Sequence, residues 1–83
     1  MGDDEALVKG FGATVRRLRS EQGYSQEGFA FRVGLHRTYV GNIERGEKAV
    51  TIVTANKVAR ALGLTLAGLL AELERDVRAT EDG

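Results

Sequence analysis

Glycine punctuation constrains this chain more than any other feature. Gly23, Gly34, Gly46 and Gly63 cut it into short segments, and no proline occurs anywhere. Between the cuts, apolar residues recur at helical spacing, and no strand-like alternation lasts more than a few residues. Leu7, Phe11, Val15 and Leu18 form a first stripe, which Gly23 ends. Ser25 reads as an N-cap, its hydroxyl accepting from an otherwise orphan amide of the helix that follows. That second helix covers Gln26 to Val33 with Phe29, Ala30 and Val33 inward, and Gly34 suits the left-handed position after it. A third helix runs from His36 to Arg45 and stops at Gly46. Thr51 caps a fourth, which carries Ile52, Ala55, Val58, Ala59 and Leu62 and stops at Gly63. Thr65 starts a fifth with Leu66, Leu69, Leu70 and Leu73. The fold class is all-α: a compact bundle of five short helices joined by tight links.

Eighty-three residues hold one small core. The layout reads as an acidic lead-in over residues 1–8, a folded unit over 9–73 and a short acidic tail over 74–83 that is expected to fray. The formal net charge is zero, but its signs are segregated. Asp3, Asp4 and Glu5 open the chain; residues 9–60 carry ten Lys/Arg against four Glu; residues 61–83 carry two Arg against five acids. A basic middle between acidic ends can bind a polyanion locally without a basic average, although solvated surface charge has the same look.

Several function classes drop out. Without cysteine there is no disulfide framework and no thiolate metal site, and a reducing cytoplasm fits best. No apolar run approaches the roughly 20 residues of a membrane span, and the acidic start is no signal peptide. Metal-ligand spacing is absent, and nothing in the sequence asks for a cofactor. "GFGATV" lacks the last glycine of a dinucleotide fingerprint and follows no strand. The single histidine, His36, is better explained by its place at the start of the third helix than by catalysis with Ser20 or Ser25. The chain reads as a binding protein, not an enzyme.

The stretch "GLHRTYVGNIERG", Gly34 to Gly46, holds most of the specific polar chemistry. At about 100° per residue, Val40 and Ile43 fall together on one side of a helix. Thr38, Gly41, Asn42 and Arg45 occupy the other, with Arg37 and Tyr39 on its shoulders. Gly41 costs roughly 1 kcal/mol of helix stability against Ala, and its bare α-carbon is expected to let a partner approach closely. Such a face suits a DNA major groove, where Arg pairs bidentately with guanine, Thr meets a thymine methyl and basic groups hold phosphates. An amphipathic helix with a merely solvated polar face has the same pattern. The helix before it adds weight: Phe29, Ala30, Val33, Leu35, Val40 and Ile43 fall at helix-turn-helix spacing, with small Ala30 at the crossing and Gly34 in the turn.

The segment "SQEGFAFRVGLHRTYVGNIERGEKAVTIVTANKVARALGL" resembles the lambda-repressor/Cro-like (XRE) family of five-helix domains, from about Phe11 to Leu73. "SQE..A" and "IERG" carry the likeness. "HRTY" and the proline-free "ERGEKAVTIV" link are most similar to the controller proteins of restriction–modification systems. The resemblance implies a homodimeric transcription regulator on a palindromic operator in double-stranded DNA. It further implies control of its own promoter and of an adjacent restriction gene, with RNA polymerase as a further partner. An antitoxin, another small repressor of the family, or a protein-interaction module on the same fold would share the architecture.

By position, Gln26 would bond a phosphate, Arg37, Thr38 and Asn42 would face bases, and His36 would lie beside them. Tyr39, Arg45, Arg17 and Lys48 would hold backbone. Arg19 and Glu44 would form a structural ion pair, and Leu66, Leu69, Leu70 and Leu73 would supply the dimer interface, Leu66 facing inward and Leu70 and Leu73 outward. Gly28 and Phe31 depart from the family pattern, the first in mid-helix and the second where a polar residue is common.

Overall fold

A computed structural model describes residues 2–82. It contains α1 (Gly2–Glu21), α2 (Gln26–Val33), α3 (Arg37–Glu44), α4 (Ile52–Ala61) and α5 (Leu66–Asp82), with no strand among the described residues. The local stop and start signals act as their chemistry dictates. Ser25 Oγ accepts from Gly28 N at 2.9 Å, Thr51 Oγ1 from Thr54 N at 3.1 Å, and Thr65 Oγ1 from Gly68 N at 3.0 Å. Gly28 leaves α2 intact, because the cap bonds its amide and a Cβ there would crowd Ser25 Oγ at 3.1 Å. Gly34 is left-handed (φ 86°) and turns the chain so that Leu35 N reaches Ala30 O at 2.9 Å.

Two boundaries move. Residues 2–8 of the acidic lead-in belong to α1, where Asp3, Asp4 and Glu5 in the first turn meet the positive end of the helix dipole. Residues 74–82 of the tail continue α5, which ends at Asp82. Its continuation is anchored on α1, with Val77 packed on the core and Asp76 Oδ2 accepting from buried Thr14 Oγ1 at 2.9 Å. Charge marked both segments off in the sequence, whereas helix continuity and contacts across the bundle decide their structure.

Phe29, Ile43, Leu69, Val15, Val40 and Val58 form the fully buried centre, drawn from all five helices. Two stripe positions lie outside it: Leu7 is 53% exposed and Ile52 70% exposed. Polar side chains close the C-terminal end of α4, where Arg32 Nε donates to Ala61 O at 2.7 Å and Gln22 Nε2 to Leu62 O at 2.8 Å. They satisfy carbonyls that a helix end leaves orphaned.

What positions α3 is its contact with α1. Gly12 is buried, and a Cβ there would collide with the Ile43 carbonyl oxygen and stand 2.8 Å from that of Glu44. Only a glycine lets the last turn of α3 sit directly on α1.

Candidate nucleic-acid interface

The inward face of α3 is held by Val40, Ile43 and Glu44, all buried. Glu44 is the unusual member, a carboxylate whose side chain is 2% exposed. Arg19 answers it bidentately, Nε to Oε2 at 2.6 Å and Nη2 to Oε1 at 3.0 Å, while Arg19 Nη1 donates to Tyr24 O at 2.7 Å. Gln26 Nε2 adds a further bond to Glu44 Oε1 at 3.0 Å. This buried group therefore joins α1, the start of α2 and the end of α3, and no buried side-chain polar atom among the described residues lacks a partner. A charge so enclosed is tolerable only because its lone pairs are met by donors.

With that face fixed, the other end and side of α3 turn to solvent. His36 caps the helix, its Nδ1 accepting from Thr38 N at 3.1 Å. His36, Arg37 and Thr38 are exposed, and the side chains of Arg37 and Thr38 make no hydrogen bond or ion pair among the described residues. Tyr39 is half-buried against the core. Farther along, Arg45 lies across the face: Nη2 donates to Asn42 Oδ1 at 2.7 Å and Nε to Glu47 Oε2 at 3.1 Å. The hydrogen bond it donates to Glu47, then the charge of Glu47, raises the Arg45 guanidinium above its usual value. The bare α-carbon of Gly41, expected to admit a partner, is already covered from within the chain. A Cβ there would meet Arg45 Nη1 at 3.1 Å and Gln26 Oε1 at 3.7 Å.

The structure thus brings Gln26, His36, Arg37, Thr38, Asn42 and Arg45 to the start and outer side of the helix-turn-helix. Lys48 is exposed in the link beyond it, on the rim of an apolar groove. Arg17 does not join them. It sits among carboxylates, with Nη2 2.7 Å from Glu72 Oε1 and 3.0 Å from Asp76 Oδ2, and Nη1 3.1 Å from Glu21 Oε2. Hydrogen bonding to Glu72 is the largest influence raising the Arg17 guanidinium, and Arg17 in turn lowers the Glu72 carboxyl. Its work is to clasp α1 to α5.

The leucine stripe of α5 is also arranged differently. Leu69 and Leu73 are buried in the chain's own core, Leu66 is half-buried, and Leu70 is 40% exposed. A stripe at i, i+3, i+4 and i+7 does not say which edge meets α1 and α4; here the Leu69–Leu73 line does. Leu70 instead borders a groove with Leu7, Val50, Ile52 and Leu66. The sequence reading missed Leu7 and Ile52 as surface residues, since each extends a stripe that is otherwise buried. Ile52 opens α4 directly after its cap Thr51, whereas Leu7 lies in the second turn of α1, where the sequence offers no such signal.

The profile of the helix-turn-helix family matches residues 15–69. The control protein C.MunI from a Mycoplasma species is 39% identical over 80% of this chain and 90% of its own length. Among solved structures, the restriction–modification controller protein C.AhdI from Aeromonas hydrophila is 43% identical, with a TM-score of 0.76 over 81% of this chain and 97% of the other. The controller protein C.Esp1396I, solved as a tetramer with its natural 35 base-pair operator, is 25% identical, with a TM-score of 0.80 over 86% and 93% of the two chains.

Proposed function

Because this chain belongs to the helix-turn-helix family that includes the restriction–modification control proteins, we propose that it is a DNA-binding transcription regulator acting as a homodimer. One observation carries the reading. The side chains of Arg37 and Thr38 stand exposed and unpartnered, among the described residues, at the open end of a helix whose other face is locked by Glu44. In this reading α3 enters the major groove of a two-fold-symmetric operator. Arg37 meets a guanine edge, Thr38 and Asn42 read neighbouring bases, and His36 lies at the entry. Gln26, Tyr39, Arg45 and Lys48 line the phosphates on either side. The C.Esp1396I operator complex supports the same class of target for this chain.

One helix in one groove reads only a few base pairs, so a second copy doubles the readout. The groove bordered by Leu7, Ile52, Leu66 and Leu70 is the surface that the second copy covers, placing the two α3 helices about 34–36 Å apart, one turn of DNA. Leu69 and Leu73 contribute from beneath by packing α5. The regulated genes are its own and an adjacent restriction gene, and RNA polymerase at those promoters, in the cytoplasm, is the further partner. Footprinting on the DNA upstream of the gene tests the proposal. Protection of a symmetric site is the expected result, and no protection at micromolar protein in moderate salt sinks it.

A further inference from the structure

Gly46 ends α3 in the left-handed conformation (φ 73°), which by itself accounts for a glycine there. It meets a second demand as well. A Cβ at this position would stand 2.7 Å from Lys9 Cγ and 2.9 Å from Lys9 Cα. The stem of Lys9 therefore lies directly on the link that leaves α3, between Arg45 and Lys48. Gly12, three residues farther along α1, meets the backbone of Ile43 and Glu44, so both contacts lie on one side of that helix. Lys9 is exposed, and its ammonium makes no hydrogen bond or ion pair among the described residues, not even with Glu5 one turn before it. Glu47, the acid beside Gly46 in the link, already accepts from Arg45 at 3.1 and 3.3 Å. A lysine with a packed stem and a solvated head is common on surfaces. This one is set apart by its place, on α1 but against the segment that carries Arg45 and Lys48.

Resting on the reading of α3 as the base-reading helix, with Arg45 and Lys48 at the phosphates, we propose that Lys9 is a further phosphate-binding residue. The DNA backbone is then held by α1 as well as by the helix-turn-helix and its link. Gly46 is the positioning residue, because only without a side chain does it let α1 bring Lys9 against the end of α3. An ammonium is a compact point charge, so it holds a phosphate without the fixed fork geometry that a guanidinium brings. The contact adds affinity and salt dependence and carries no base preference.

Titration of the operator duplex and its single-base variants over a range of salt tests this, using wild type, Lys9→Met, Lys9→Arg and Lys57→Met. Lys9→Met keeps a stem on Gly46 and removes the charge. It should lower the slope of log affinity against log salt by roughly 1.8 per dimer, about 0.9 for each lost contact, and leave base preferences unchanged. Lys9→Arg keeps the charge and should keep the wild-type slope. Lys57→Met removes the same charge from exposed α4, in the cleft beside Arg32 and Arg60, and should leave the slope unaltered. Lys9→Gln decides the matter if thermal melts show Lys9→Met to be unfolded. Three results overturn the Lys9 contact alone: a Lys9→Met slope equal to that of wild type or of Lys57→Met, a Lys9→Arg slope reduced as much as that of Lys9→Met, or base preferences altered in Lys9→Met. A wild type that binds no duplex overturns the operator reading and the contact with it.

Discussion

A side chain at position 12 has no room, because α1 meets the backbone of Ile43 and Glu44 there. Gly12→Ala should therefore cost about 3 kcal/mol, against the gain that alanine ordinarily brings a helix. An unchanged denaturant midpoint would mean that α1 and α3 are farther apart than described. The two glutamates near the end of α3 make a second contrast. Glu44 is enclosed with Arg19 and Gln26, so Glu44→Ala strands a half-buried guanidinium and should cost about 2–4 kcal/mol. Glu47→Ala removes an exposed partner and should cost about 0–0.5 kcal/mol. Urea melts of the two variants compare them directly, and equal midpoints would reduce Glu44 to a surface charge. The sequence marks Glu44 as inward because it falls beside Val40 on the wheel. It has no way to show that Arg45 folds back over Gly41, which depends on the rotamers of several neighbouring side chains.

Between elements, the Arg17 clasp of α1 to α5 has a pH signature. Arg17 holds the Glu72 carboxyl below its ordinary value of 4.5, so the unfolded chain takes up that proton more readily than the folded one. The stabilisation is present above about 4.5 and is lost as pH falls through the lower folded value. Thermal melts between pH 3 and 7 should show a steeper acid loss in wild type than in Glu72→Gln. Parallel curves would mean that the clasp contributes nothing to folding. This contact was illegible beforehand because Arg17 and its α5 partners lie 55 and 59 residues apart. Caps and stops were legible for the opposite reason. Ser25, Thr51, Thr65 and Gly34 act within one turn of themselves, so local chemistry decides them. Ser25→Ala should accordingly lose about 1 kcal/mol, read by the same melts, and no loss would show the cap to be dispensable.

At the scale of the whole molecule, the proposed dimer rests on the groove beside α5. Leu70→Glu places a charge on its exposed border while sparing the buried Leu69 and Leu73. It should give a folded monomer with weakened operator binding and nearly intact half-site binding. Leu73→Glu should fail to fold. Sedimentation at micromolar concentration separates the cases, and a dimeric Leu70→Glu would move the interface elsewhere. The leucine stripe announced two partners for α5 without saying which residue served which, since that depends on how α1 and α4 approach it. The seating of α3 has a further consequence, in amide exchange. Its last turn rests on Gly12, its Glu44 is tied to Arg19, and its inner residues are core. A helix of eight residues would ordinarily open and close by itself many times a second. Here it has no low-energy way to open without separating from α1, so the amides of Ile43 and Glu44 should exchange deuterium only as fast as the entire domain unfolds.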